Sequence, residues 1–207
     1  MPTRTPMRLL FAIAVAIATA PLALPARAAD WELQRDEEGI RVWTRPVPGS
    51  AVARFRGETF VRAEIAAVRA VLGDVPRLTE WFPDCVEART LSKEGDVELR
   101  YVVTGAPWPV DDRDAIYHIE TIREPSGLLR IEVGVRPETL PEREGRVRVQ
   151  RAQGGWKLTP DEGGTRVAWE LHLEPGGSVP TWLVNQRVVD TPFRALRELR
   201  ARAEGQG

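Results

Sequence analysis

The stretch Gly176–Ala203, GGSVPTWLVNQRVVDTPFRALRELRARA, decides how the rest of the chain must be arranged. It reads as a loop followed by a long helix. Ser178 is placed as the N-cap and Pro180 in the first turn, where a missing N–H costs nothing. At about 100° per residue, Trp182, Val188, Val189, Pro192, Phe193, Leu196 and Leu199 share one arc. Arg187, Asp190, Arg194, Arg197 and Glu198 occupy the opposite arc. Pro192 is expected to kink this helix. A wide apolar face on a helix that follows a long run of strand-like segments needs a concave partner. Taken alone, the helix reads first as a cap on an ordinary sheet core. The alternative is a ligand held between helix and sheet.

Working outward, Trp31–Arg35 and Ile40–Arg45 read as strands around a turn ending in Gly39, and 51–62 as a longer strand. Residues 63–73 form a helix with Ile65, Val68 and Leu72 on one side, and 75–81 a second short helix ended by Pro83. From Asp96 onward the period is two. Leu99, Tyr101 and Val103 fall on one face, then Ala115, Tyr117 and Ile119, then Leu129, Ile131, Val133 and Val135. Val147 and Val149, Trp156 and Leu158, and finally Val167, Trp169, Leu171 and Leu173 continue the pattern. Turns are placed at 94–95, 125–127, 154–155 and 161–164. The class is α+β: a twisted antiparallel meander, one face wet and one apolar, wrapped around the long C-terminal helix.

The first 28 residues read as a cleaved secretory signal. Arg4 and Arg8 precede the short apolar run 9–24, and Ala26-Arg27-Ala28 is a small-x-small cleavage site. This leaves one domain, 29–207, and a periplasmic or secreted location. Removing Arg4, Arg8 and Arg27 from the 29 basic residues leaves 26 against 30 acids, a net charge of −4. That argues against nucleic acid as a partner. Cys85 is the single cysteine, so no intramolecular disulfide forms, and burial is its simplest explanation.

Catalytic constellations find little support. His118 and His172 both fall on the polar register of their strands. No cluster has metal-ligand spacing, no glycine-rich loop has a phosphate-binding pattern, and no serine sits in a nucleophile elbow. Asp111-Asp112-Arg113-Asp114 reads as a loop entering a strand, with Arg113 paired to a neighbour. Trp108, between two prolines, belongs at a loop tip.

Five stretches in order carry a family resemblance: Glu80-Trp81-Phe82-Pro83, the run from Pro107 to Asp114, that from Leu140 to Arg148, Gly155-Trp156, and that from Glu174 to Asn185. Across about 31–203 the chain resembles a START (steroidogenic-acute-regulatory-related lipid-transfer) domain. The resemblance implies a helix-grip fold and a tunnel closed by the C-terminal helix and the loop 104–112. It implies one lipid or other hydrophobic small molecule per chain, no cofactor, a monomer, and transient contact with a membrane. The expected ligand-facing residues are Leu99, Tyr101, Val103, Tyr117, Ile119, Ile131, Val133, Trp169 and Leu171 from the sheet and Trp108 from the loop. Trp182, Asn185, Gln186, Val189, Phe193 and Leu196 come from the helix. Sterol-transfer members carry a charged pair inside the tunnel. Here the matching positions fall near Arg100 and Ile119, so the acid is missing. The alternatives are a polyketide cyclase or aromatase on the same fold, drawing on Tyr101, Tyr117, Arg151, Asn185 and Gln186, or an interaction module with a filled core.

Overall fold

The structure, a computed structural model, describes residues 30–205. The expected signal segment and its cleavage site lie outside the described residues. Ten strands form one sheet: β1 (Glu32–Glu37), β2 (Ile40–Arg45), β3 (Arg54–Val61), β4 (Cys85–Glu94), β5 (Val97–Thr104), β6 (Asp112–Arg123), β7 (Leu129–Val135), β8 (Arg146–Arg148), β9 (Arg151–Asp161) and β10 (Gly164–Glu174). The order is β1-β2-β3-β10-β9-β7-β6-β5-β4, antiparallel throughout, with β8 parallel to β6 at the side. Helices α1 (Ile65–Gly73) and α2 (Leu78–Trp81) follow β3, and α3 (Thr181–Ala203) closes the chain.

Four local expectations are corrected. β4 was not expected, because bulges between Cys85 and Glu87 and between Thr90 and Ser92 break its alternation and much of this edge strand is exposed. Gly154 and Gly155 lie inside β9 rather than in a turn. A Cβ on Gly154 would stand 2.1 Å from Glu170 O, and one on Gly155 2.2 Å from Ile131 O, so the neighbouring backbones require glycine. The N-cap of α3 is Pro180, not Ser178, and its carbonyl accepts from the N–H groups of Leu183 and Val184. The helix runs uninterrupted through Pro192.

The fourth correction concerns β5. Leu99, Tyr101 and Val103 point away from the concave face. Tyr101, Val103 and Ile116 form a second small core with Leu91, Leu99 and Leu140. The outer face is dry there because 137–148 folds back over it. Arg148 fixes that segment: Nε donates to Asp114 Oδ1 at 2.8 Å and Nη2 to Oδ2 at 2.9 Å. Its Nη1 and Nη2 also reach the carbonyls of Pro137, Leu140 and Pro141 at 2.6–3.1 Å. Tyr101 Oη donates to Asp114 Oδ2 at 3.0 Å. Burial works against the Asp114 charge, yet the hydrogen bonds from Arg148 and Tyr101 hold its carboxyl below the usual range.

The second half of α3 packs on β2 and β3. Phe193, Ala195, Leu196 and Leu199 are buried. Leu196 fits because position 57 is glycine; a Cβ there would meet Leu196 Cδ1 at 2.7 Å. Full burial of each large apolar side chain contributes about 1.5–3 kcal/mol, which anchors this half of the helix and leaves the first half to do something else.

Candidate functional site: a cavity under the first half of α3

Between the concave face of the sheet and α1, α2 and the start of α3 lies a cavity of about 660 Å³. Its walls are built by alternation: Glu98, Arg100, Val102 and Thr104 from β5, Ala115, Tyr117, Ile119 and Thr121 from β6, and Ile131 and Val133 from β7. Trp156 and Trp169 stack with centroids 4.5 Å apart, and Phe55 and Phe82 meet Trp169 edge-on. The roof is Leu183, Val184, Arg187, Val188 and Thr191, the i, i+4 stripe of the first half of α3.

Of the residues expected to face a ligand, Tyr117, Ile119, Ile131, Val133, Trp169 and Leu171 line this cavity. Leu99, Tyr101 and Val103 do not, for the reason given by the second core. Trp108 is at its loop tip but 93% exposed, and Trp182 is 64% exposed, so both face solvent rather than the cavity. Asn185 and Gln186 are exposed. Phe193 and Leu196 are buried in the packed half of α3, and partly buried Val189 packs against the same core. The arc of α3 was misplaced because Phe193, Leu196 and Leu199 dominate its apolar moment, although they serve the core. Leu183 and Val184 were missed, and Arg187, expected on the wet arc, is part of the roof. Of the polar groups considered for a cyclase, Tyr117 alone lines the cavity. Tyr101 bonds Asp114, and exposed Arg151 pairs with Glu174.

Ile119 leaves β6 without an acid at the expected position, but Arg100 finds one on its own strand. Glu98 faces the cavity beside Arg100, two residues along the same strand and opposite Ile119 in the ladder. Arg100 Nε and Nη2 donate to Glu98 Oε1 and Oε2 at 2.7 and 3.0 Å, and Thr90 Oγ1 donates to Oε1 at 3.0 Å. Arg100 Nη1 donates to Leu72 O at 2.8 Å, tying β5 to α1. Burial opposes the Glu98 charge, but these donors hold its carboxyl below the usual range. Elsewhere burial dominates: it pushes the Cys85 thiol up to about 11 and the Tyr117 phenol up to about 12. Neither is ionised near neutral pH, so neither is a ready nucleophile or base. Among the described residues no group of three or more His, Cys, Asp or Glu could hold a metal ion. His118 and His172 lie outside the cavity lining, and His172 Nε2 lies 3.2 Å from Ser50 Oγ and 3.1 Å from Val52 O.

The two ends of the cavity differ. At the loop 105–111 every lining residue is partly or fully buried. Arg187 closes that end, with Nη1 donating to Asp84 Oδ2 at 2.5 Å and Nη2 to Gly105 O at 3.4 Å. Arg113 Nη2 donates to Gly176 O at 3.3 Å, and burial lowers the pKa of its guanidinium. At the other end, between α1 and the β4–β5 hairpin, Ala66, Arg69, Ala70, Gly73, Lys93, Gly95 and Asp96 line the cavity and are exposed.

A sheet gripping a C-terminal helix over an apolar cavity is matched by known proteins. The START domain family pattern covers residues 22–207. The chain belongs to the START domain family. A solved STAR-related lipid transfer protein from Xanthomonas axonopodis, fragment 25–204, is 40% identical and superposes with a TM-score of 0.79, covering 84% of this chain and 98% of that one. An uncharacterized protein of Pseudomonas aeruginosa is 38% identical over 180 residues, 86% of this START chain and 89% of the relative. The mouse phosphatidylcholine transfer protein is 25% identical over 177 residues, 81% of each chain. The helix-grip fold expected from the sequence is the fold observed.

Proposed function

We propose that this START domain binds one lipid or other hydrophobic small molecule in the cavity and carries it through an aqueous compartment after export, without chemical turnover. The observation that carries the reading is the cavity itself. Native interiors are filled to crystal-like density, and a void of about 660 Å³ lined by stacked tryptophans and aliphatic side chains is kept open against that tendency. The volume falls in the range of about 300–1,000 Å³ typical of small-molecule sites. Burial of ligand surface supplies about 25 cal/mol per Å² before association costs are met. The lipid-transfer names of the Xanthomonas and mouse relatives support the same reading. Of the polar groups considered for a cyclase only Tyr117 lines the cavity, which favours a carrier over a cyclase. Among the described residues no helix is long and apolar enough to cross a membrane, so contact with a bilayer in this reading is peripheral and transient.

Release is gated at the loop and the first half of α3. The tie there is three hydrogen bonds, from Arg187 to Asp84 and Gly105 and from Arg113 to Gly176, whereas the other half of α3 is held by a packed core. Transfer of a fluorescent phospholipid from donor to acceptor vesicles tests the function. The purified protein accelerates transfer in proportion to its concentration. No acceleration for phospholipid, sterol or fatty acyl probes removes the carrier reading.

A further inference from the structure

The open end of the cavity has a structure of its own. The face that α1 turns to it is Ala66, Arg69, Ala70 and Gly73, at spacings of three, four and seven. Three of these are small, so the helix leaves room where a larger side chain would have closed the gap. Arg69 stands on this side and Lys93 on the hairpin opposite, and both are exposed. The carboxylates nearby are largely taken. Arg123 Nη1 donates to both oxygens of Asp96, at 2.6 and 2.7 Å, and Glu98 is held by Arg100. Among the described residues neither Arg69 nor Lys93 has a direct side-chain hydrogen bond or a carboxylate within salt-bridge distance. Both act through space on the Asp96 carboxylate, which Arg123 already holds, Lys93 acts on Glu98 as well, and Asp74 also lines this end. Two cations with no direct hydrogen-bonded partner therefore frame the opening, with Asp96 already held by Arg123, in a chain whose net charge is −1.

The geometry points to a head-group site: Arg69 and Lys93 hold the carboxylate or phosphate of an anionic amphiphile whose apolar tail fills the cavity. This rests on the reading of the cavity as a lipid site and adds the ligand's charge and its direction. The head lies between α1 and the β4–β5 hairpin, in reach of solvent, so its ionic charge keeps part of its hydration. The tail runs under α3 towards the loop 105–111, past Trp169 and Tyr117. An anion placed there gains charge-assisted hydrogen bonds that a neutral head cannot make.

The test is titration of the purified protein with parinaric acid and with its methyl ester, followed by the fluorescence of the polyene. The acid binds about tenfold or more tightly than the ester, the gain expected for a hydrogen-bonded charge at a partly solvated site. In the double variant Arg69→Ser, Lys93→Ser the ratio of acid to ester affinity falls towards one. Ala70→Glu, an exposed helical position, lowers that ratio further, and Ala70→Lys raises it, which a folding defect cannot do. Inorganic phosphate at matched ionic strength leaves the acid bound. Equal binding of acid and ester overturns the proposal while leaving the cavity reading intact. So does a preference that survives the double variant, because the anion is then held elsewhere, and displacement by inorganic phosphate makes this a free-anion site instead. Failure of both probes to bind, together with failure of vesicle transfer, overturns the cavity reading and this proposal with it.

Discussion

Glu98 and Arg100 occupy positions that alternation alone assigns to water, and they are tolerable inside only as a pair. Glu98 side-chain exposure is 9% and that of Arg100 is 13%, so each depends on the other for neutralisation. Arg100→Ala leaves a carboxylate among apolar walls and removes the bond to Leu72 O. A loss of about 1–3 kcal/mol in a urea titration is expected. The sign of its pH dependence follows from the lowered pKa. Glu98 contributes stability above the ordinary carboxylate range, and that contribution is lost as pH falls through its folded value. The variant therefore loses less stability than the parent on acidification below about pH 4.5, the ordinary value of a glutamate side chain. Arg148 and Asp114 are a harder case, each with 1% of the side chain exposed. Arg148→Met strands the aspartate and is expected to cost about 3–5 kcal/mol. Adding Asp114→Asn recovers part of it in a double-mutant cycle, because the stranded charge is gone.

At the scale of elements, the C-terminal helix, the meander and most strand faces were legible because period two and period 3.6 differ sharply. What alternation cannot tell is which half of a strand faces inward when both faces are covered. β5 offered Leu99, Tyr101 and Val103 on one side and Glu98, Arg100 and Val102 on the other, and the apolar set went outward under the segment fixed by Arg148. β4 hid behind two bulges, and α3 behind a moment set by its core-facing half. The β5 register has a direct test. Val102→Phe projects into the cavity and lowers lipid uptake several-fold, whereas Leu99→Phe, on the outer face, leaves it unchanged. The reverse pattern contradicts the register. The gate is tested with a cysteine pair joining the loop 105–111 to the first turns of α3, in a Cys85→Ala background, with Cα atoms about 4.4–6.8 Å apart. Oxidation stops lipid exchange and reduction restores it. Equal rates in both states place the gate elsewhere.

For the whole molecule, the division of labour in α3 is the main design. Its second half is fixed to β2 and β3 through Phe193, Leu196 and Leu199, and its first half roofs a space held by hydrogen bonds. The fold can therefore keep an unfilled interior without losing its core, and a ligand that fills the space adds stability through linkage. Native mass spectrometry of gently purified protein tests this central claim most directly, with Ala115→Trp, which places an indole in the cavity from buried β6, as the control. The account predicts one bound hydrophobic molecule per chain, recovered on lipid extraction and lost in Ala115→Trp while the variant stays folded. A parent that neither retains nor takes up any lipid, or a variant that binds as the parent does, would contradict it.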